Sequence, residues 1–214
     1  MTAATKQRLP LKVAEKLAEK IRAALLPACE RVEVAGSIRR GKATVGDVEL
    51  LATPKSGEGL FGDDPRQPTK LDLLIGQLER QGKFVDAWHA KDRGLPFRDG
   101  PRWKTRPLRA VEGVVLDLFT TTPEQWGVML MIRTGPGEFS KRVVTNKGRS
   151  DGWGFLPDCL IINDGRVWRR ITKAGNVIRD VPMHTPEESD VFALLGMEYI
   201  EPAEREQYCT GPSR

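Results

Sequence analysis

Cysteine, histidine and long apolar runs are all scarce in this 214-residue chain, and each scarcity excludes a class of protein. The three cysteines, Cys29, Cys159 and Cys209, are far apart and have no histidine beside them. The sequence therefore predicts neither a disulfide framework nor a zinc site. The two histidines, His89 and His184, lie outside any nucleophile motif. We expect reduced structural thiols and histidines that serve only locally.

No apolar run approaches the ~18 residues of a membrane-spanning helix, and the first residues lack the apolar core of a signal peptide. These absences favour a soluble, cytoplasmic protein, in a cell or in an infected host. Hydrophobic residues make up 39% of the chain, which is enough to form a core in one or two compact units.

Positive charge is concentrated in three short stretches, although the net formal charge is only +5. Basic clusters can follow a phosphate backbone, and three of them together favour a polyanionic partner. For any one cluster, a solvated basic face is the alternative. The clusters are Arg102, Lys104, Arg106 and Arg109; Lys141, Arg142, Lys147 and Arg149; and Arg166, Arg169 and Arg170.

The most informative stretch is residues 36–49, Gly-Ser-Ile-Arg-Arg-Gly-Lys-Ala-Thr-Val-Gly-Asp-Val-Glu. Successive strand side chains alternate faces, so Asp47 and Glu49 are predicted to point the same way, with Val48 and Leu50 packing behind them. Two adjacent anions repel each other, and oxygen ligands of this kind suit Mg²⁺ or Mn²⁺. The pair therefore predicts a divalent-cation site. Two solvated acids at an exposed strand end are the alternative.

The residues before the acids are suited to binding a polyphosphate. A predicted strand leads into Gly36 and Ser37, where consecutive backbone N–H groups and the serine hydroxyl can form an anion-binding nest. Arg39 and Arg40 are predicted in the first turn of a short helix, where guanidinium groups and the helix N-terminus both favour phosphate. Gly46 directly precedes the acids. This spacing indicates a nucleotidyltransferase.

A third acid is needed if two metal ions are to be bridged. The candidate is Asp117, which lies in the apolar and β-branched run Val-Val-Leu-Asp-Leu-Phe, residues 114–119. An aspartate is costly to bury in such a run unless it is paired or coordinated. Asp47, Glu49 and Asp117 are therefore predicted to form one metal-binding constellation on adjacent strands. A strand whose aspartate faces solvent is the alternative.

Two helices are predicted in the first half of the chain. The first has Pro10 in its first turn and ends before Pro27. The second begins at Thr69, with Asp72 as its capping partner, and ends at Gly82. The predicted buried residues of the first helix, spaced four apart, are Val13, Leu17, Ile21 and Leu25.

Turn and capping signals predict the remaining elements. Residues 55–67, rich in glycine, proline and aspartate, are expected to form a mobile or partner-contacting loop. Strand and hairpin segments are expected within residues 83–115, including 84–87 and 102–104. Thr122 is predicted to open a capping box. The other predicted elements are helices over 126–133 and 138–147, strands around 159–162 and 167–168, and a last helix capped at Thr185 that runs through Leu195.

The acids and the block before them resemble the catalytic palm of the family X DNA polymerases, the polymerase beta-like branch of the nucleotidyltransferases. Residues 8–10, residues 134–135 and the tail over residues 185–205 match in the family's order and approximate spacing. The resemblance implies an α+β fold. A nucleotidyltransferase palm, with a mixed β-sheet and helices on one side, would occupy residues 1–122. A small α+β C-terminal subdomain, like a thumb or fingers, would occupy residues 123–214.

The resemblance also implies functional roles. Asp47, Glu49 and Asp117 would hold two Mg²⁺ ions, with Mn²⁺ as an alternative, for attack of a primer 3′-hydroxyl on the α-phosphate. Gly135 would lie near the sugar of the incoming nucleotide. The implied nucleotide-binding residues are Arg8, Gly36, Ser37, Arg40, Gly46, Gly135, Ser140 and Lys141.

The chain departs from the family pattern at several points. Residues 132–133, Ile-Arg, replace an aromatic pair that takes part in ribose discrimination in many relatives. Phe119 replaces a common arginine, and Glu49 replaces the usual aspartate with a longer ligand of the same charge. The N-terminal lyase domain and most of the helix-hairpin-helix domain have no counterpart in the sequence. We therefore expect no 5′-deoxyribose phosphate lyase activity.

The resemblance implies a monomeric DNA-directed DNA polymerase that uses dNTPs to extend primed or gapped DNA in gap-filling repair. A template-independent nucleotidyltransferase that acts on RNA, tRNA or another acceptor is the alternative, but a small-acceptor enzyme has no need of the terminal subdomain. A non-enzymatic nucleic-acid-binding module with a degenerate palm is a third hypothesis. The presence of all three acids argues against it.

Overall fold

The computed structural model describes residues 7–55 and 68–210. The chain divides into two compact units, Met1–Thr120 and Thr121–Arg214, each with its own apolar core. All but the first residue of the predicted loop over residues 55–67 lies outside the described residues. The assignment of a palm to residues 1–122 and a C-terminal subdomain to residues 123–214 stays a prediction. No helix in the described parts of the chain is long and apolar enough to cross a membrane.

A mixed β-sheet forms the centre of the first unit. The strands of this unit are β1 (Leu9–Pro10), β2 (Cys29–Val34), β3 (Thr44–Val45), β4 (Val48–Pro54), β5 (Arg98–Asp99), β6 (Trp103–Pro107) and β7 (Val115–Thr120). Five of them form one sheet in the order β2-β4-β7-β6-β5, and β1 pairs separately with β3. Only the β4–β7 pair within the sheet is parallel. The predicted α+β class with a mixed sheet is confirmed.

Helices cover one face of this sheet. The helices of the first unit are α1 (Leu11–Leu25), α2 (Gly36–Arg39), α3 (Lys70–Arg80) and α4 (Ala87–Asp92). Leu50 of β4 and Leu118 of β7 are fully buried in the same core as Leu71 and Ile75 of α3. Fully burying one such leucine contributes roughly 1.5–3 kcal/mol. This core lies on the face opposite to Glu49, because neighbouring strand residues point to opposite faces.

The buried stripe of α1 differs from the predicted one. Val13 is 48% exposed, whereas Ala14 and Ala18 are fully buried together with Leu25. Residues spaced strictly four apart drift about 40° around a helix at each step, so a stripe that starts at Val13 leaves the core face. Starting the stripe at Ala14 and alternating steps of four and three keeps the residues on the core face. The prediction was wrong at the N-terminal end of the stripe. The predicted place of Pro10 in the first turn is also wrong, because Pro10 is extended, belongs to β1 and precedes α1.

Hydrogen-bonded caps fix the starts of α3 and α4. The predicted capping box of α3 is confirmed, because the Thr69 hydroxyl accepts the Asp72 N–H (3.1 Å) and Asp72 accepts the Thr69 N–H (2.7 Å). The strand predicted over residues 84–87 is wrong in its second half. The Asp86 carboxylate accepts the His89 N–H at 3.0 Å and begins α4, and only Phe84 makes an isolated bridge.

Within residues 121–210, the second unit forms three helices and a three-stranded antiparallel sheet. Its elements are α5 (Trp126–Thr134), α6 (Gly137–Val144), β8 (Leu160–Asn163), β9 (Arg166–Lys173), β10 (Asn176–Met183) and α7 (Glu188–Leu195), with 3-10 segments at Pro123–Gln125 and Pro202–Tyr208. The sheet order is β10-β9-β8. The two predicted strands are confirmed, and β10 was missed. Helix α6 ends before the predicted residue 147, because Thr145 is already extended.

Neither threonine predicted to cap a helix in this unit does so. Thr122 makes no capping hydrogen bond, and the residues after it form a 3-10 turn. Thr185 is fully buried, and its backbone N–H donates to the Glu124 carbonyl at 2.8 Å. The first turn of α7 is instead closed by Glu187, whose N–H donates to Asp190 at 2.8 Å. Both predictions failed because tertiary contacts replaced the local capping pattern.

A buried ion pair lies in the core of the second unit. Arg205 is fully buried, and its Nη1 is 2.8 Å from Oε1 of Glu188, which is 4% exposed. The Arg205 Nε and Nη2 groups donate to the Ile200 carbonyl at 3.1 and 3.0 Å. Tyr199 donates its hydroxyl to Glu188 at 3.0 Å, and the guanidinium lies 5.5 Å from the Phe192 ring centre. The ion pair thus connects α7 to the final 3-10 segment.

Candidate active site

The register between β4 and β7 sets two acids side by side. Glu49 pairs with Asp117 across these parallel strands, directly after the pair formed by Val48 and Leu116. Val48 and Leu116 are buried on the core face, so Glu49 and Asp117 belong to the opposite face. Asp47 immediately precedes β4, and its charge acts on Glu49. The structure therefore brings the three predicted acids together.

Glu49 lies between anionic and cationic neighbours. Burial is the main cause that raises the pKa of Glu49 to about 7, and the negative charges of Asp47 and Asp117 add to this effect. The Arg40 guanidinium and the Ser37 backbone N–H, which donates to the Glu49 carboxylate, act in the opposite direction. A bound cation would favour the ionised carboxylate, because it would oppose the repulsion between the acids.

The turn at Gly36 is in direct contact with the Glu49 side chain. Gly36 is buried and has a φ of +61°, and a Cβ at this position would come within 1.5 Å of the Glu49 carboxylate. No other residue fits here without displacing that carboxylate. Helix α2 is a single turn, so Arg39 is its last residue and Arg40 follows it. The predicted place of Arg40 in the first turn is therefore wrong.

Two side chains of β6 hold Asp117. The Trp103 indole N–H donates to Oδ1 of Asp117 at 3.0 Å, and the Thr105 hydroxyl donates to the same oxygen at 2.6 Å. The Arg98 guanidinium lies 3.8 Å from the Trp103 ring centre, and Phe119 packs against that ring. These contacts fix the orientation of the carboxylate. Neither donor was predicted from the sequence, although their spacing of two places them on one strand face.

The donor atoms of the three acids suit a divalent cation. Carboxylate oxygens are the ligands that Mg²⁺ and Mn²⁺ prefer. Burial is the main cause of the raised pKa of Glu49, and the repulsion from Asp47 and Asp117 that adds to it is one that a cation would oppose. Within residues 7–55 and 68–210, no group of three or more His, Cys, Asp or Glu side chains is placed so that it could hold a metal ion. The chemistry of the three carboxylates suits the ion, and their use as ligands stays a prediction.

Arg8 and Gly46 lie beside this cluster. The Arg8 guanidinium donates to the Thr44 hydroxyl at 3.0 Å and to the Thr44 carbonyl at 2.7 Å. The antiparallel pairing of Leu9 with Val45 fixes that contact. Gly46 is buried and follows β3 directly. Arg8 is thus held next to the segment that leads into the acids, far from them in the sequence.

The remaining predicted nucleotide contacts belong to the second unit. Gly135 ends α5 with a φ of +67°. The Ser140 hydroxyl donates to the Ile132 carbonyl at 2.8 Å, and the exposed Lys141 pairs with Glu138. The contacts of Gly135, Ser140 and Lys141 with a nucleotide stay predictions.

Two members of the first predicted basic cluster are interior residues. Lys104 is buried and lies 2.7 Å from Asp72 and 3.2 Å from Asp99. Arg106 is buried as well and contacts Glu79 and Asp99. Charges that are neutralised inside the unit are not available to a phosphate backbone. The prediction that Lys104 and Arg106 follow nucleic acid was wrong.

Arg142, from the second predicted cluster, is also structural. Its guanidinium donates to the carbonyls of Trp153 at 2.7 Å and Tyr208 at 2.6 Å. The arginines of the third cluster differ, because Arg169 is exposed and Arg166 and Arg170 are half-buried. The third cluster therefore keeps its basic side chains at the surface.

Comparison with known proteins finds a similar DNA polymerase. No protein-family model matches the chain. Among curated proteins, DNA polymerase lambda of Rattus norvegicus is 31% identical over 183 residues, which cover 80% of this chain. This similarity supports a relationship to the family X, polymerase beta-like DNA polymerases. The resemblance predicted from the sequence is confirmed. The match spans only 28% of that relative's length.

We expect the stability of the chain, kept free of metal, to fall as pH rises. The pKa of Glu49 is raised from 4.5 to about 7 in the folded state, so between these values the folded chain holds a proton that the unfolded chain has lost. The free energy of unfolding should therefore decrease across this window, by about 3 kcal/mol at most. Urea denaturation at pH 5 and pH 8, in a chelator, measures the change.

Glu49→Gln should remove most of this pH dependence, because glutamine stays neutral throughout. Glu15→Gln, at an exposed position of α1, is the control and should keep the wild-type pH dependence. An identical slope in wild type and Glu49→Gln would contradict the assignment.

Proposed function

We propose that this chain is a DNA-directed DNA polymerase that adds dNMP to a DNA 3′-hydroxyl and releases pyrophosphate. The observation that carries the proposal is the pairing of Glu49 with Asp117, with Asp47 adjacent, beside the turn at Gly36 and Ser37. The family X relationship supports DNA as the acceptor, since the relative is a DNA polymerase by name. Gap-filling repair by a monomer is the proposed setting.

The acids would hold the metal ions of the reaction. Asp47, Glu49 and Asp117 offer oxygen ligands for two Mg²⁺ ions, or for Mn²⁺ in their place. Bound in this way, such ions acidify an attacking hydroxyl and neutralise charge on a triphosphate. Trp103 and Thr105 would keep Asp117 in one orientation through their hydrogen bonds to Oδ1. Asp117 is the candidate acceptor of the hydroxyl proton.

The turn beside the acids would bind the triphosphate. The Ser37 N–H already donates to an anion, the Glu49 carboxylate, and the charge of Arg40 acts on the same group. A phosphate oxygen has the same charge and accepts the same hydrogen bonds. Gly36 has no side chain, so a phosphate can approach its backbone closely. A side chain at this position would overlap the Glu49 carboxylate. Arg8 would reach the triphosphate from its place beside Thr44.

Primer extension tests the proposal. The full chain is incubated with Mg²⁺, one dNTP or rNTP at a time, and either a gapped duplex or a single-stranded 3′-end. A DNA polymerase should add the complementary dNMP to the gapped duplex and little to the single strand. Equal extension of single-stranded DNA or RNA ends would favour the template-independent nucleotidyltransferase. Absence of transfer to every end would favour a non-enzymatic binding module.

Arg40→Ala should impair nucleotide use far more than Arg39→Ala. The Arg40 charge acts on the carboxylate held at the Ser37 turn, and Arg39 is not among the groups that shift the Glu49 pKa. A charge-assisted hydrogen bond contributes about 1.5–3 kcal/mol, so kcat/KM for dNTP should fall roughly 10- to 150-fold. Steady-state kinetics of the two variants measures the difference. Equal small losses in both would rule out a specific phosphate contact for Arg40.

A further inference from the structure

The sheet of the second unit has one face turned away from the core. Val167 of β9 is buried, so the next residue, Trp168, lies on the opposite face. Trp168 is in register with Ile161 of β8 and with Pro182 of β10. Trp168 and Ile161 are half-buried, and Pro182 is exposed. An apolar row with a tryptophan at its centre therefore crosses the outer face.

Basic side chains lie on both sides of this tryptophan. Arg166 and Arg170 are two residues before and after Trp168 on β9, so they share its face. The Arg166 guanidinium lies 5.7 Å from the Trp168 ring centre. The Nε of Arg170 lies 3.6 Å from Oδ1 of Asp180, the β10 residue that pairs with Arg170. The Glu124 carboxylate also interacts electrostatically with Arg166. The outer face thus carries two arginines, each with an acidic neighbour, around an aromatic centre.

This arrangement suits unpaired nucleic acid. A tryptophan ring offers a surface on which a base can stack, and the sequence of the base matters little. Arginines on either side can contact phosphates, and they lie about 13 Å apart on β9, from a rise of about 3.3 Å per residue. A base-paired duplex buries its base faces and leaves none for the ring.

We propose that the outer face formed by Arg166, Trp168 and Arg170 binds single-stranded DNA, with a base on Trp168 and phosphates at the two arginines. This inference rests on the proposed function only for the choice of DNA, because a templated polymerase encounters unpaired template ahead of the primer. It gives Arg166 and Arg170 of the third basic cluster a role in binding nucleic acid.

Anisotropy of a fluorescein-labelled oligothymidylate, titrated with the full chain, tests the stacking contact. Trp168→Ala should weaken binding about 5- to 150-fold, the range for losing one base–aromatic stack. Trp168→Phe should restore much of the affinity, because phenylalanine keeps an aromatic ring. Trp88→Ala is the matched control, since Trp88 is 69% exposed in the first unit. Its affinity should remain close to wild type.

A salt series tests the phosphate contacts. Arg166→Gln and Arg170→Gln should each weaken binding and lower the slope of log affinity against log salt by about 0.7. Arg169→Gln is the matched control, because Arg169 is exposed on the same strand but points to the other face. It should leave the slope nearly unchanged. Asp180→Asn should tighten binding, because it removes the negative charge beside Arg170.

Wild-type affinity in Trp168→Ala, with thermal melting unchanged, would overturn the proposal. An Arg169→Gln effect as large as that of Arg166→Gln would also overturn it, because general charge attraction would then explain binding. Primer extension by the wild-type chain separates the two proposals. Tight binding through Trp168 without any extension would remove the polymerase proposal and keep this one. Primer extension by the wild type, with single-stranded DNA binding unaffected by Trp168→Ala, would keep the polymerase proposal and remove this one.

Discussion

Replacing any one of Asp47, Glu49 and Asp117 with alanine is expected to lower nucleotide transfer by roughly 10²- to 10⁴-fold while the protein stays folded. The physical reason is shared charge neutralisation. Each acid contributes a carboxylate to one face of the β4–β7 pair, and two carboxylates hold a doubly charged cation less well than three. Primer extension with Mg²⁺ measures the loss.

Thermal melting gives a second measurement that does not depend on activity. Added Mg²⁺ should raise the melting temperature of the wild type, because a ligand that binds only the folded state stabilises it. The rise should shrink in each of the three variants. Asp92→Ala, at an exposed acid of α4, should respond to Mg²⁺ as the wild type does. Wild-type turnover in any one acid variant would remove that residue from the site.

Arg205→Ala is expected to destabilise the second unit by about 3–5 kcal/mol, because it leaves Glu188 buried without a counter-charge. The pair is shielded from water, and the lost guanidinium also leaves the Ile200 carbonyl without two hydrogen bonds. Urea denaturation followed by a probe in the second unit measures the change. The double variant Arg205→Met/Glu188→Gln should recover part of the loss, since no unpaired charge remains.

Lys141→Ala provides the comparison for this effect. Lys141 and Glu138 form an exposed ion pair in the same unit, and such pairs contribute about 0–1 kcal/mol. The losses of unfolding free energy in Arg205→Ala and Lys141→Ala therefore compare a buried ion pair with an exposed one. An Arg205→Ala protein as stable as Lys141→Ala would contradict the role of Arg205 in the core.

The local part of the candidate site could be predicted from the sequence, because it depends on residues close together in the chain. The turn at Gly36, the alternation of Asp47 and Glu49, and the apolar surroundings of Asp117 are all local patterns. The register that pairs Glu49 with Asp117 is not local, since it depends on how two distant strands align. The resemblance to a family supplied that step.

Tertiary partners explain the failures. The spacing of Lys104 and Arg106 looks like a surface cluster, and nothing near them in the sequence shows that Asp72 and Glu79 of α3 lie over β6. The contact of Trp103 with Asp117 was missed for the same reason. Local patterns specify where an element can begin, but packing decides which charges are left at the surface.

The contact between Glu49 and the turn at Gly36 has a consequence for how the binding of nucleotide and the binding of cation affect each other. The carboxylate accepts the Ser37 N–H, so a phosphate at this turn must first displace an internal competitor. A cation that draws the carboxylate away also frees the turn. Nucleotide and cation should then increase each other's affinity by the same factor, since thermodynamic coupling is reciprocal. A triphosphate without a divalent cation would bind weakly, and the chain would thereby discriminate against the uncomplexed nucleotide.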